Sequence, residues 1–162
     1  MDLDAFNALP EPAAREQLSG CLDVPRWVDT VLEARPYADL GALLAVASTA
    51  AGSLSDDELE TALARHPRIG ERAGAGHDTD HSAREQAGVD ASGDTATLLA
   101  AGNRAYESRF DRVFLIRAAG RDSSEILGEL SRRLGNDAES ERAETVTQLR
   151  EIALLRLEQV VS

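Results

Sequence analysis

Lysine is absent from this chain: all 17 basic residues are arginines. A GC-rich coding sequence produces that bias without any functional cause. The arginines face 29 acidic residues, which leaves a net charge of −12. A surface of that sign repels nucleic acid and anionic membrane, so neither is an expected partner. Cysteine occurs once, at Cys21, which excludes an internal disulfide and a cysteine-based metal site. A lone thiol in a helical segment reads as core packing before it reads as a nucleophile. Aromatics make up 4% of the chain while hydrophobic residues make up 43%, so the core must be built from Ala, Leu, Val and Ile. That mixture favours closely packed helices over a β-sandwich. No run reaches the ~18 apolar residues of a membrane span. The longest weakly polar run, Leu40 to Ala51, is alanine-rich and too short. Met1-Asp2-Leu3-Asp4 is acidic where a secretory leader is basic, and Val160-Val161-Ser162 is not a peroxisomal address. The cytoplasm is the expected compartment.

What the sequence does contain is helical periodicity over most of its 162 residues, a length that suits one domain, spanning 1–162. Asp4 reads as the cap of a short first turn. Helices follow over Glu11 to Cys21 and from Val24-Pro25, the latter with Trp27, Val28, Val31 and Leu32 on one stripe. Tyr37 to Ala51 is apolar on nearly all sides, a pattern expected of a helix in the middle of a bundle. Ser55-Asp56-Asp57-Glu58 is a capping box. Asp80 or Ser82 is a candidate cap for a helix to about Val89, and Asp94 or Thr95 for one to about Phe110 that turns Leu98, Leu99, Ala105 and Tyr106 inward. Val113-Phe114-Leu115-Ile116 is strand-like but too short for a sheet; it reads as buried backbone leading into an Ala118-Ala119-Gly120 turn. A second capping box, Asp122 to Glu125, opens a helix closed by Gly135. A long last helix over Asp137 to Val160 carries Val146, Leu149, Ile152, Ala153, Leu155 and Leu157 on its stripe. The fold class is therefore all-α, a bundle of about eight uneven helices.

Chemistry concentrates at Arg65-His66-Pro67-Arg68-Ile69-Gly70-Glu71, a sharp break between helices. Pro67 keeps His66 out of the α region, which holds the imidazole in one direction. A histidine there suits general acid–base work, and equally suits capping a helix end against its carbonyls. A second cluster follows at His81-Ser82-Ala83-Arg84-Glu85-Gln86. Its residues have plain alternatives: Ser82 as an N-cap, Glu85 as a first-turn carboxylate favoured by the helix dipole. Gly70 to Thr79 reads as loop. Arg68, Arg72 and Arg84 either clamp an anion or pair with Glu71 and Glu85. His66, His77 and His81 lack the spacing of a metal site. The expectation is that the two stretches face each other across a small-molecule site, with His66 and Glu85 as the chemical pair.

His66-Pro67-Arg68-Ile69-Gly70-Glu71, Ser82-x-x-Glu85-Gln86 and Asn103-x-x-Tyr106-x-x-Arg109-Phe110 form an ordered set. It continues through Phe114-Leu115-Ile116, Gly120-Arg121, Arg133-Leu134-x-Asn136, Glu139 and Ile152-Ala153-x-Leu155-Arg156-Leu157. The openings Phe6-Asn7-Ala8-Leu9-Pro10 and Arg35-Pro36-Tyr37 also fit. The set resembles the 2-oxo-4-hydroxy-4-carboxy-5-ureidoimidazoline (OHCU) decarboxylase family over nearly the whole chain. The resemblance implies an all-α homodimer that uses no metal and no organic cofactor and acts on a small ureidoimidazoline. It implies His66 as the catalytic acid/base, assisted by Glu85. Pro67, Ser82, Arg84, Gln86 and the backbone of Leu115, Ile116, Arg117, Ala118 and Ala119 would line the pocket, with Arg156 as a further anion contact. Asp111 and Arg117 depart from the family's pattern, where glycine and cysteine are common.

Two other readings compete. A helical protein–protein interaction module predicts no turnover and an exposed apolar patch. A related enzyme acting on another ureide keeps His66 and Glu85, and Arg117 is the residue that would shift its specificity.

Overall fold

A computed structural model describes residues 1–71, 79–89 and 93–162, with the side chains of Thr79 and Asp80 left aside. Among these residues the chain is all-α: α1 (Leu3–Ala8), α2 (Glu11–Cys21), α3 (Pro25–Glu33), α4 (Leu40–Ala51), α5 (Asp56–Leu63), α6 (Thr79–Glu85), α7 (Gly93–Phe110), α8 (Ser123–Leu134) and α9 (Ala138–Val160). Contacts group them into two units. The first holds Met1–Ala62 and Arg150–Ser162, the second Leu63–Leu149, so α9 contributes to both.

In the first unit the cap of α1 is Asp2 rather than Asp4; its carboxylate accepts from the Ala5 amide at 2.8 Å. The α3 stripe is as expected, with Trp27, Val28, Val31 and Leu32 all buried. Trp27, the one tryptophan of the chain, is fully buried and donates its indole N–H to the Ala47 carbonyl of α4 at 2.9 Å. Cys21 is buried, as packing requires. Two separate pieces of sequence meet here. Asn7 both accepts from the Tyr37 amide (2.8 Å) and donates to the Tyr37 carbonyl (2.9 Å), while Arg35 donates to the carbonyls of Phe6 and Leu9. With Tyr37 tied back in this way, α4 starts only at Leu40, capped by Asp39. Of α4's twelve residues only Leu43, Ala47 and Ala51 are buried. Its place is therefore at a surface, not in the middle of a bundle. The capping box on α5 is complete: the Ser55 amide donates to Glu58 at 2.9 Å, and the Glu58 amide donates to Ser55 Oγ at 3.1 Å.

The second unit packs around Ile69, Leu99, Tyr106, Phe114, Ile116, Ala118, Ile126 and Leu130. α7 starts at Gly93, so Asp94 and Thr95 fall inside it rather than capping it. Its buried stripe is Leu99, Asn103 and Tyr106; Leu98 and Ala105 sit off that stripe and are exposed. α7 and α8 approach so closely that a Cβ on Gly102 would overlap Leu130. Residues 113–118 run between α7 and α8 with no ladder partner among the described residues, and Phe114, Leu115 and Ile116 are buried. Gly120 (φ +78°) turns the chain into α8, whose cap Asp122 accepts from the Glu125 amide. Gly135 closes α8 in a right-handed rather than a left-handed conformation. On α9, Val146, Leu149, Ile152, Ala153 and Leu157 are buried as expected, while Leu155 is half-buried. The expected loop over 70–79 lies mostly outside the described residues, along with Arg72 and His77.

Candidate functional site

His66 follows the exit of α5. Its backbone N–H donates to the Leu63 carbonyl at 3.0 Å, and both His66 and Pro67 are buried. Past Pro67 the chain is fastened on two sides. The Ile69 carbonyl accepts from the Asn103 amide group at 3.0 Å, and Arg68 grips Glu107 of α7 through two N–H groups at 2.5 and 3.2 Å. That pairing holds the Arg68 guanidinium protonated, raised chiefly by its hydrogen bond to Glu107. Arg68 also lies 3.6 Å from Glu71. It is thus an anchor within the protein, not an anion clamp.

The second fastening joins the two polar stretches. The Gly70 amide donates to Gln86 Oε1 at 3.0 Å, so the His66 turn is hydrogen-bonded to the end of α6. Helical spacing puts Ser82 and Glu85 on one side of α6, and Gln86, just past its end, donates its backbone N–H to the Ser82 carbonyl at 3.1 Å. Ser82 is 3% exposed and its hydroxyl meets no hydrogen-bond partner among the described residues. Glu85 and Gln86 are half-buried, whereas Arg84 is exposed.

The helix boundary removes both plain alternatives for this stretch. Because α6 starts at Thr79, Ser82 lies inside it and cannot be its N-cap; Asp80 also lies inside, though its side chain is outside the described residues. Glu85 is the last residue of α6, where the helix dipole opposes a carboxylate instead of favouring it.

The backbone candidates lie in the same unit. The Leu115 carbonyl accepts from Arg133 at 2.6 Å, the Arg117 amide donates to Gln148 Oε1 at 2.9 Å, and the Arg117 carbonyl accepts from Arg121 at 3.0 Å. Ala118 closes a turn with the Arg121 amide at 3.0 Å. Leu115, Ile116 and Ala118 are buried; Arg117 and Ala119 are half-buried. Arg156 belongs to the first unit, where it is 1% exposed and donates to the Gly20 carbonyl at 3.1 Å. A cavity of about 290 Å³ lies on the α7 side of the turn, lined by Arg68, Ile69, Gly70, Glu71, Leu99 and Asn103 among others. None of His66, Ser82 and Glu85 lines it.

The sequence motifs include Asn103, Tyr106 and Arg133 but suggest no more than an inward place for Tyr106, and they do not include Gln148. Glu139, also in those motifs, is exposed; the acid buried among the described residues is Glu141, 1% exposed and bonded to Arg133 and Tyr106. Each of these bonds joins residues on different elements, so no local spacing announces them.

These features define an all-α protein in which a buried histidine turn and an acid-bearing helix end are locked together. The family model for OHCU decarboxylase matches residues 7–158, and the chain belongs to that family. The chain is also 26% identical, over 164 aligned positions, to the uric acid degradation bifunctional protein of Bacillus sp. (strain TB-90). That alignment covers 99% of this chain and 32% of the relative, so the chain spans about a third of the relative's length. Among solved structures it resembles an OHCU decarboxylase determined in the presence of (S)-allantoin (TM-score 0.74, 19% identity, 90% of this chain and 96% of that one). It also resembles an (S)-allantoin synthase (TM-score 0.70, 16% identity, 99% of this chain and 54% of that one). At such identities the likeness concerns the fold.

Proposed function

We propose that this chain, acting as one domain, decarboxylates 2-oxo-4-hydroxy-4-carboxy-5-ureidoimidazoline to (S)-allantoin and CO₂, the last step from urate to allantoin. The observation that carries the reading is the Gly70–Gln86 hydrogen bond, within a chain of this family. It fastens the turn bearing His66 to the helix end bearing Ser82 and Glu85.

The substrate suits such a site. One ring carbon bears a hydroxyl and a carboxylate, and its neighbour is an imine carbon bearing the ureido group. When the carbon–carboxylate bond breaks, its electron pair forms a ring double bond and the imine nitrogen takes up a proton. The imine is the electron sink that cofactors supply in other decarboxylations. The resulting enol loses its hydroxyl proton as the ureido-bearing carbon gains one, and delivery to one face sets the S configuration. One proton is consumed overall.

In this reading His66 moves the proton at the reacting centre, and Glu85 orients the hydroxyl or the imidazole. Pro67 and Ser82 shape the wall. Gln86, with Oε1 turned to Gly70, has its amide N–H groups for a ring carbonyl. Arg84 and Arg156 are the weaker members of the set. Arg84 is exposed, and Arg156 donates to a backbone carbonyl of the first unit.

The homodimer and the cytoplasmic location belong to the same proposal. α4 supports the first: it carries no charged residue, most of it is unburied, and a groove of about 420 Å³ lies along Ala45, Val46, Thr49 and Ala50 beside Arg26 and Thr30.

The test is a coupled assay in which urate oxidase and hydroxyisourate hydrolase generate the unstable substrate and circular dichroism follows the product. Wild-type protein should build (S)-allantoin faster than the spontaneous racemic background. His66→Ala, folded, should lose ~10²–10⁴ of the rate, the usual contribution of one positioned acid–base group. A folded wild-type protein that gives no acceleration refutes the reaction; an acceleration that survives in His66→Ala refutes the role of His66.

A further inference from the structure

Arg133 and Glu141 form an ion pair whose side chains are each 1% exposed. Burying such a pair rarely stabilises a fold more than apolar residues of the same volume would. Its geometry points to a different use. Arg133 Nε and Nη2 both donate to Glu141 Oε1, at 2.8 and 2.5 Å, which leaves Nη1 aimed at the Leu115 carbonyl at 2.6 Å. Glu141 is itself fixed by the Tyr106 hydroxyl at 2.5 Å and the Asn136 amide group at 3.0 Å. The Phe114 ring lies against the guanidinium, 4.7 Å from it. A second group holds the same segment two residues on, where Gln148 Oε1 accepts from the Arg117 amide at 2.9 Å.

Peptide planarity turns these two bonds into a statement about the residue between them. In a trans peptide the C=O and the following N–H point in opposite directions. Holding the Leu115 carbonyl to Arg133 turns the Ile116 N–H away from Arg133. Holding the Arg117 amide to Gln148 turns the Ile116 C=O away from Gln148. Ile116 is 2% exposed, and neither of its peptide groups meets a hydrogen-bond partner among the described residues. Buried backbone groups without partners are rare, and they mark a place that a ligand or water fills.

We propose that Arg133 and Gln148 are positioning residues that aim the Ile116 N–H and C=O at the substrate ring, with Glu141 and Tyr106 holding Arg133. The inference rests on the decarboxylase reading, in which this backbone lines the pocket. One donor and one acceptor from a single residue match the adjacent C=O and N–H of a cyclic urea. Arg133 and Gln148 touch no substrate; they set the direction of groups that do.

The test uses Gln148, which is half-buried, so its replacement leaves the core intact. Wild type, Gln148→Leu and Gln148→Glu are compared in the coupled assay and by calorimetric binding of (S)-allantoin. Gln148→Leu should bind (S)-allantoin about tenfold more weakly, the loss of roughly one well-aligned hydrogen bond, with an unchanged melting midpoint. Gln148→Glu, which keeps an acceptor for the Arg117 amide, should bind close to wild type. Arg133→Met should weaken binding as Gln148→Leu does; if it does not fold, the Gln148 pair decides alone. An active wild type with Gln148→Leu binding unchanged, or with Gln148→Glu as weak as Gln148→Leu, overturns the positioning role and leaves the decarboxylase reading intact. An inactive wild type overturns that reading first, and the positioning role with it.

Discussion

At Gly70 the backbone takes φ +91°, a conformation that L side chains rarely adopt, and a Cβ there would meet Leu99 at 3.4 Å. Its amide is also the donor to Gln86. Gly70→Ala should therefore lose about 1–2 kcal/mol of stability, read as a lower urea midpoint. An unchanged midpoint would mean that the turn is not under this constraint. The break after α5 was legible at this scale, because Pro67 keeps the residue before it out of helix whatever surrounds it. The partners were not. Gln86 lies sixteen residues from Gly70 and Asn103 lies 34 from Ile69, and contacts between elements leave no periodicity to read. The plain alternative for Glu85, a first-turn carboxylate, fails for a similar reason, since it depends on where the helix boundary falls.

Elements were legible where chemistry marks their ends. Ser55 with Glu58, and Asp122, cap where their side chains predict. The start of α4 was missed because the Asn7–Tyr37 bonds, not a local signal, hold the chain out of helix until Asp39. Arg132 pairs with Glu129 within α8 at 2.7 Å and reaches Glu144 of α9 at 2.6 Å. Hydrogen bonds from Arg132, then from Asn136, hold the Glu144 carboxyl below its ordinary value of 4.5. A depressed folded-state value means stability that is full above the ordinary value and is lost as pH falls through the folded one. Both side chains are partly exposed, so solvent and salt weaken the effect. Between about pH 6 and about pH 3 the urea midpoint of wild type should fall more steeply than that of Glu144→Gln. Parallel slopes would remove this linkage.

For the whole molecule, composition spoke clearly about class and poorly about assembly. Few aromatics and abundant Ala and Leu gave helices, and among the described residues helices are what is found. The same apolar run in α4 reads as a bundle centre because a single sequence does not say whether an apolar face meets its own chain or another surface. Only three of its residues are buried within this chain. Sedimentation should give twice the 17.3 kDa chain mass for wild type and the chain mass for Val46→Glu, which places a carboxylate on the groove. A wild type that sediments at the chain mass refutes the α4 dimer. The family match over 7–158 draws on both units, while every catalytic candidate lies in the second.

Trp27 lies in the first unit, sealed between α3 and α4 and bonded to Ala47. Being the sole indole, it makes the chain's intrinsic fluorescence a reporter on the unit that carries neither His66 nor Glu85. An emission shift on adding ligand therefore records a change in the first unit, which holds Arg156 of the proposed ligand contacts. The far-ultraviolet dichroism of the helices, by contrast, averages over the whole molecule. The two optical signals together separate local events in the first unit from events in the molecule at large, with no label attached.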